Sequence, residues 1–269
     1  MKFLLTAINA KFIHSNPAIY SLRAGVGEKL QPYVELAEFT INESPESILE
    51  GIWKRQPKVI GFSCYIWNWK LIREILTELP KILPDTEIWL GGPEVTYDGP
   101  GLLREFPQVT GIMVGEGEVT FREVLDHYVR ETETAGQSEQ QPESGSIEQQ
   151  AADRTGTLAG KSVAERFGQI PGLCLASGYT APRELTDLTT LPFLYEDMEP
   201  FTNRIIYYET SRGCPYRCSY CLSSIDKKVR LRDIDVVKRE LQFFLDQNVK
   251  QVKFIDRTFD CYHKHAMEI

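Results

Sequence analysis

Glu87-Ile88-Trp89-Leu90-Gly91-Gly92-Pro93 is the stretch on which the fold turns. Four residues suited to a buried strand run directly into two glycines and a proline, the chemistry of a strand that ends and turns at once. The pattern repeats downstream, where Gly111-Ile112-Met113-Val114 ends in Gly115-Glu116-Gly117-Glu118. Upstream, Lys58 to Cys64 is a third short apolar run, and Lys2 to Ala10 and Val34 to Ile41 read as two more. Helical signals fill the gaps. Pro17 opens one helix, and Ser44-Pro45-Glu46 places a cap and a first-position proline ahead of Ile48, Leu49, Ile52 and Trp53. Trp69, Ile72, Leu76, Leu79 and Leu83 recur at three- and four-residue steps, which predicts a helix with a core-facing stripe. Phe121, Val124, Leu125 and Tyr128 mark another.

Five strands alternating with helices predict an α/β domain over residues 1–130, a doubly wound parallel five-stranded sheet with helices on both faces. Ligands of such sheets bind beyond the carboxyl ends of the strands, where Gly91, Gly92, Gly115 and Gly117 fall. Glycine there lets a ligand approach the backbone; the same residues also serve a tight turn with no ligand at all.

The second focus is Cys214-Pro215-Tyr216-Arg217-Cys218-Ser219-Tyr220-Cys221, which follows the apolar run Ile205-Ile206-Tyr207-Tyr208. Three thiols at C-x3-C-x2-C spacing leave one position of a metal centre outside the motif. Structural zinc and structural clusters normally take four protein ligands, so a count of three points to a 4Fe-4S cluster with one open iron. Zinc with a fourth ligand from Cys261, His263 or His265 is the rival. A disulfide requires an oxidising compartment, and nothing marks the chain as secreted.

The cysteine stretch, with Tyr220 ahead of its last cysteine, resembles the radical S-adenosylmethionine (SAM) signature. The first half, through Gly61-Phe62-Ser63, Gly91-Gly92-Pro93-Glu94-Val95-Thr96 and Gly115-Glu116-Gly117-Glu118, resembles the Rossmann-like cobalamin-binding domain placed ahead of radical SAM barrels. That resemblance implies a cobalamin groove along Ser63, Gly91 and Gly92, with Gly115, Glu116 and Gly117 as its neighbouring wall. It implies that Cys214, Cys218 and Cys221 hold the cluster, that Tyr220 cradles the adenine of SAM, and that Asp256, in Asp256-Arg257-Thr258-Phe259, approaches the SAM amino group. Helix capping or an arginine partner is the other reading of Asp256. The implied activity is reductive SAM cleavage to a deoxyadenosyl radical, followed by methylation or rearrangement of a substrate. An electron donor such as flavodoxin or ferredoxin is the implied partner. The rival functional reading is a non-catalytic cobalamin-binding or zinc-stabilised module. The Asp-x-His-x-x-Gly loop of classical cobalamin domains is missing; the corresponding loop offers His14, either as a cofactor contact or as a hydrogen-bonding group.

Glu131 to Arg166 has seven acidic and three basic residues and no aromatic, which predicts a disordered acidic insert over 131–168. A connector over 169–203 follows, beginning with a strand or hairpin at Ile170 to Tyr179 in which Cys174 is a small buried residue. Residues 204–269 then supply strand, cysteine loop, helix (Ile234, Val237, Leu241, Phe244, Leu245) and strand (Gln251 to Asp256). That is the start of a βα barrel and too little to close one. Of the net charge of −8 the insert carries half, and the mildly acidic remainder argues no nucleic-acid partner. The basic run Lys227 to Arg232 reads as a solvated loop or a helix start. No apolar run reaches membrane-spanning length and the N-terminus lacks a signal-peptide pattern, so the expected location is cytoplasmic.

Overall fold

The computed structural model describes residues 1–138, 161–225 and 228–269. Its first half builds strands β1 (Phe3–Asn9), β2 (Val34–Thr40), β3 (Val59–Ser63), β4 (Glu87–Gly91) and β5 (Val109–Met113). They alternate with α1 (Pro17–Gly25), α2 (Pro45–Trp53), α3 (Trp69–Ile82), α4 (Gly99–Glu105) and α5 (Glu118–Ser138). The five strands are parallel, in the order β2-β1-β3-β4-β5. This is the predicted doubly wound sheet. The short helix α4 was absent from the expectation, and the strand or hairpin expected within Ile170 to Tyr179 forms two further strands. Those are β6 (Leu173–Leu175) and β7 (Gly178–Tyr179), which follow α6 (Val163–Phe167) and extend the sheet antiparallel beyond β5.

The period-two alternation of β1 explains the two layers. Leu4 and Ile8 face one way, into a core with Ile48, Ile52, Ile72 and Leu76 from α2 and α3. Phe3, Leu5 and Ala7 face the other way, against Ile19, Phe121, Val124 and Leu125 from α1 and α5. Trp89 is fully buried there, and its Nε1 donates to Tyr128 Oη at 2.9 Å. Cys174 is buried as expected.

The stretch expected as a disordered insert is helical at both of its described ends. Its central part, 139–160, lies outside the described residues, but 131–138 continue α5 and 163–167 form α6. Ser162 and Glu165 close a reciprocal capping box on α6. Arg166 then pairs with Glu131 and Glu87, tying both ends of the stretch to β4. A composition-based expectation misses such specific ion pairs.

The second unit contains β8 (Ile206–Tyr208), β9 (Ser211–Arg212), β10 (Arg230–Leu231), α7 (Ile234–Asp246), β11 (Val252–Phe254) and α8 (His263–Glu268). β8 and β11 are parallel, with α7 between them in sequence, so one βαβ unit is present. Val237 and Phe244 of α7 are buried against Tyr195, Phe201 and Tyr208, whereas Leu245, expected in that stripe, is exposed. The basic run is corrected too. Arg232 is buried in a pair with Glu240, Arg230 reaches Glu116, and Lys227 lies outside the described residues. Among the described residues, no helix is long and apolar enough to cross a membrane.

Candidate functional site

The strand order reverses between β1 and β3, so their carboxyl ends leave a crevice at a switch point, where open α/β sheets bind ligands. Asn68 fixes that point. Its Nδ2 donates to Ile8 O (3.0 Å) and Ser63 O (2.9 Å), and its Oδ1 accepts from Tyr65 N (2.8 Å), so one buried side chain ties both strand ends together. Asn16 caps α1 and donates from Nδ2 to Ser63 Oγ at 3.1 Å. Neither asparagine stood out in the sequence; an Asn directly ahead of a helix start was the available signal.

Above these strand ends lies a cleft of about 1390 Å³ between the sheet and the second unit. Drug-sized ligands occupy roughly 300–1,000 Å³, so this cleft suits something larger. Ser63, Gly91, Gly92, Gly115, Glu116, Gly117, Tyr220 and Cys221 all line it, which brings most of the expected site residues to one place. The glycines differ in what they do. Gly92 has φ +113°, and a Cβ there would sit 2.5 Å from Cys64 O, so the protein's own backbone demands it. Gly115 has φ +79° with nothing within 4 Å of an added Cβ, an open stretch of wall. Beside them Tyr65 and Trp67 stack at 4.4 Å on the end of β3.

Glu116, expected as a cofactor contact, gives its side chain to protein partners. Arg230 donates to both of its oxygens, Arg212 lies 3.7 Å away and Thr186 N donates at 2.7 Å. Burial alone would raise its pKa; the arginines outweigh burial and hold the carboxyl below its usual range. Arg212 also donates to Glu118 Oε1 (2.6 Å) and Glu209 Oε2 (2.7 Å). Burial raises the Glu209 carboxyl, with Arg212 opposing. Asp256 accepts from Thr210 N, Thr210 Oγ1 and Ser211 Oγ, so both oxygens are engaged in bracing β11 to the strand end ahead of the cysteine loop. His14 hydrogen-bonds Tyr207 Oη through Nδ1 and stacks on its ring, while its backbone bridges to Ile205. Burial, then Lys253 and Lys11, lowers its pKa.

Cys214, Cys218 and Cys221 are free thiols, partly exposed, on the loop between β9 and β10. Cys218 O accepts from Cys221 N (3.1 Å), and Cys214 Sγ lies 3.4 Å from Thr258 Oγ1. Hydrogen bonds from the Ser223 backbone and side chain lower the Cys221 pKa, and Arg257 adds to the effect. Among the described residues, no three of His, Cys, Asp and Glu converge closely enough to hold a metal ion. As a donor set, three unpaired thiols on one short loop suit a cluster with an open iron. Tyr220 projects from the loop and is 91% exposed.

Residues 4–125 match the family profile described as the B12 binding domain. That match spans the parallel-sheet domain, which is called the B12 domain for this similarity. The wall of this B12 domain fits a corrinoid: a cleft larger than drug-sized pockets, at the switch point, with open backbone at Gly115. Two relatives extend the likeness beyond the residues matched by that profile. One is 2-(S-pantetheinyl)-carbapenam-3-carboxylate methyltransferase of Streptantibioticus cattleyicolor, 26% identical over 81% of this chain and 30% of that protein. The other is the cobalamin-dependent radical SAM methyltransferase TokK of Streptomyces tokunonensis, 27% identical over 76% of this chain and 28% of that one. The chain thus spans about a third of the length of the curated relatives it matches. The fold of the B12 domain and the segment after it is that of the cobalamin-dependent SAM radical enzyme OxsB. Its structure superposes with a TM-score of 0.66 at 17% identity, over 95% of this chain and 34% of that one.

Proposed function

We propose that this chain is part of a cobalamin-dependent radical SAM methyltransferase. The observation that carries the reading is one cleft whose first wall is the B12 domain's strand ends and whose second wall bears a three-cysteine loop. Two relatives whose names specify methyl transfer support the reaction class.

In this reading Ser63, Gly91, Gly92 and the Gly115–Gly117 backbone hold the corrinoid, and Cys214, Cys218 and Cys221 hold a 4Fe-4S cluster. Together the two groups supply one-electron cleavage of SAM and a carrier for the methyl group; orientation and exclusion of water fall to the protein. Tyr220, exposed on the loop, offers an aromatic face to the adenine. Asn68 and Asn16 fix the crevice end, and Asp256 fixes the loop's approach. A flavodoxin- or ferredoxin-type donor would supply the electron.

The test is anaerobic reconstitution with iron, sulfide and hydroxocobalamin, followed by visible spectra and metal counts after desalting. About four irons per chain, lost in Cys218→Ala, together with stoichiometric cobalt, is the expected result. Retained zinc without broad visible absorbance would overturn the reading in favour of a zinc-stabilised module. Cys261, near enough to Cys214 for the two thiols to interact, would be the fourth ligand in that case, although burial, Asp260 and Cys214 raise its pKa and so oppose the thiolate that zinc needs.

A further inference from the structure

The cysteine loop has a neck. β9 and β10 pair antiparallel with Arg212 directly opposite Arg230, and the intervening chain, 213–229, carries all three cysteines. Like charges opposite one another on a ladder repel. Here both guanidiniums reach one carboxylate. Arg230 Nη2 pairs with Glu116 Oε1, Arg230 Nη1 donates to Oε2 at 3.2 Å, and Arg212 Nη1 lies 3.7 Å from Oε2. Arg230 Nη1 also donates to Thr186 O at 2.6 Å, and Thr186 N to Glu116 at 2.7 Å, which closes the cluster.

Glu118 of the same stretch also meets Arg212 (2.6 Å), but of the two only Glu116 meets both arginines, and its neighbours Gly115 and Gly117 line the cleft. Its backbone therefore faces one half of the site while its carboxylate closes the neck of the other half. The side chains of Glu116, Arg212 and Arg230 are only 16–17% exposed, so water screens the contacts weakly.

We propose that Glu116 is a positioning residue that couples the two cofactor sites, so that occupancy of the glycine wall changes the affinity of the cysteine loop for its cluster, and the reverse. The inference rests on the two-cofactor reading above. A group seated against 115–117 restricts that backbone, and the restricted backbone sets the Glu116 carboxylate where both arginines meet it. A closed neck in turn fixes the chain on either side of Cys214 and Cys221. Linkage requires the effect to be reciprocal in the binding free energies.

The test measures that linkage directly. Hydroxocobalamin is titrated anaerobically by its visible spectrum into the whole chain, before and after iron–sulfide reconstitution. The wild type should bind at least about fivefold more tightly after reconstitution, within the range of ordinary coupling. Glu116→Gln and Arg230→Met should bring the ratio of the two affinities below about twofold, and Arg230→Lys, which keeps a cation, should restore part of it. Thermal melts accompany each variant. A residue that merely stabilised the fold would weaken both titrations alike and leave the ratio intact, which would overturn the proposal. A wild type that binds both groups with no difference between the titrations would also overturn it. A wild type that takes up neither iron nor corrinoid would instead remove the two-cofactor reading itself.

Discussion

Arg204, just ahead of β8, pairs with Glu38 on β2, across the seam between the B12 domain and the second unit. Glu38 is the collecting point of that seam. It also accepts from Tyr20 Oη (2.7 Å), Asn9 Nδ2 (2.8 Å) and Asn16 N (3.2 Å). Burial and Glu38 together push the Tyr20 phenol up, so it remains a neutral donor at any ordinary pH.

Removing one partner of a mostly buried ion pair strands the other charge. Glu38→Ala should therefore cost about 3–5 kcal/mol, read as a lower urea midpoint. Because four partners on both sides of the seam lose their acceptor, limited proteolysis should cut near residue 204 before it reaches β1. Unchanged cleavage there would show that the pair does not hold the seam.

Gly92 and Gly115 should respond differently to alanine. Both hold positive φ, which costs an alanine about 1 kcal/mol. Only at Gly92 would the new methyl also meet Cys64 O at 2.5 Å, so Gly92→Ala should lose about 2–4 kcal/mol in a denaturant melt. Gly115→Ala should lose only the backbone cost of about 1 kcal/mol yet weaken hydroxocobalamin binding, because its methyl stands in the open cleft. Equal loss of stability in the two variants would contradict this division.

The sheet was legible because each strand states its own burial. KFLLTAINA and the run ending in Gly91-Gly92 place apolar residues on both faces, which only a parallel sheet covered by helices satisfies. The cysteine triplet was legible because its spacing is chemistry. The long-range polar contacts were not. Nothing local to Glu38, Arg204 or Arg230 says which opposite charge each will meet, since those partners come from elements far apart in the chain. The same blindness hid the arginine partners of the Glu116 carboxylate and made the ends of the acidic stretch look unstructured. α4 was missed because its seven residues, begun by Gly99-Pro100-Gly101, carry turn chemistry and too few apolar positions to show a period.

The Arg166 pairs make stability depend on pH in a defined direction. Burial alone would raise the Glu131 pKa, but Arg166 and His127 outweigh burial and hold it below its ordinary value. A carboxyl depressed in the folded state contributes stability that is complete above its unfolded pKa and is lost as pH falls through the folded value. Acid titration of the wild type should therefore show stability falling below the ordinary carboxylate range. Arg166→Met should be less stable at pH 7 by about 3 kcal/mol and should lose less on acidification. Parallel pH profiles for the two proteins would refute the assignment.

Asp256 separates bracing from ligand contact. Its Oδ1 accepts from Thr210 Oγ1 at 2.6 Å and Ser211 Oγ at 2.5 Å, and Thr210 N lies 3.2 Å from each oxygen. Thr210 and Ser211 lead directly into Arg212 and Cys214, and Thr258, two residues past Asp256, lies beside Cys214 Sγ. In Asp256→Asn the retained oxygen still serves the two hydroxyls, but an amide donor now faces Thr210 N–H, a loss of about 1–2 kcal/mol. If Asp256 braces the loop, the variant should retain less iron after reconstitution, and its SAM affinity should fall only in proportion to the missing cluster. If the carboxylate instead contacts SAM, iron would stay at the wild-type count while SAM binding weakened about tenfold or more. Both oxygens are already engaged within the protein, which predicts the first outcome.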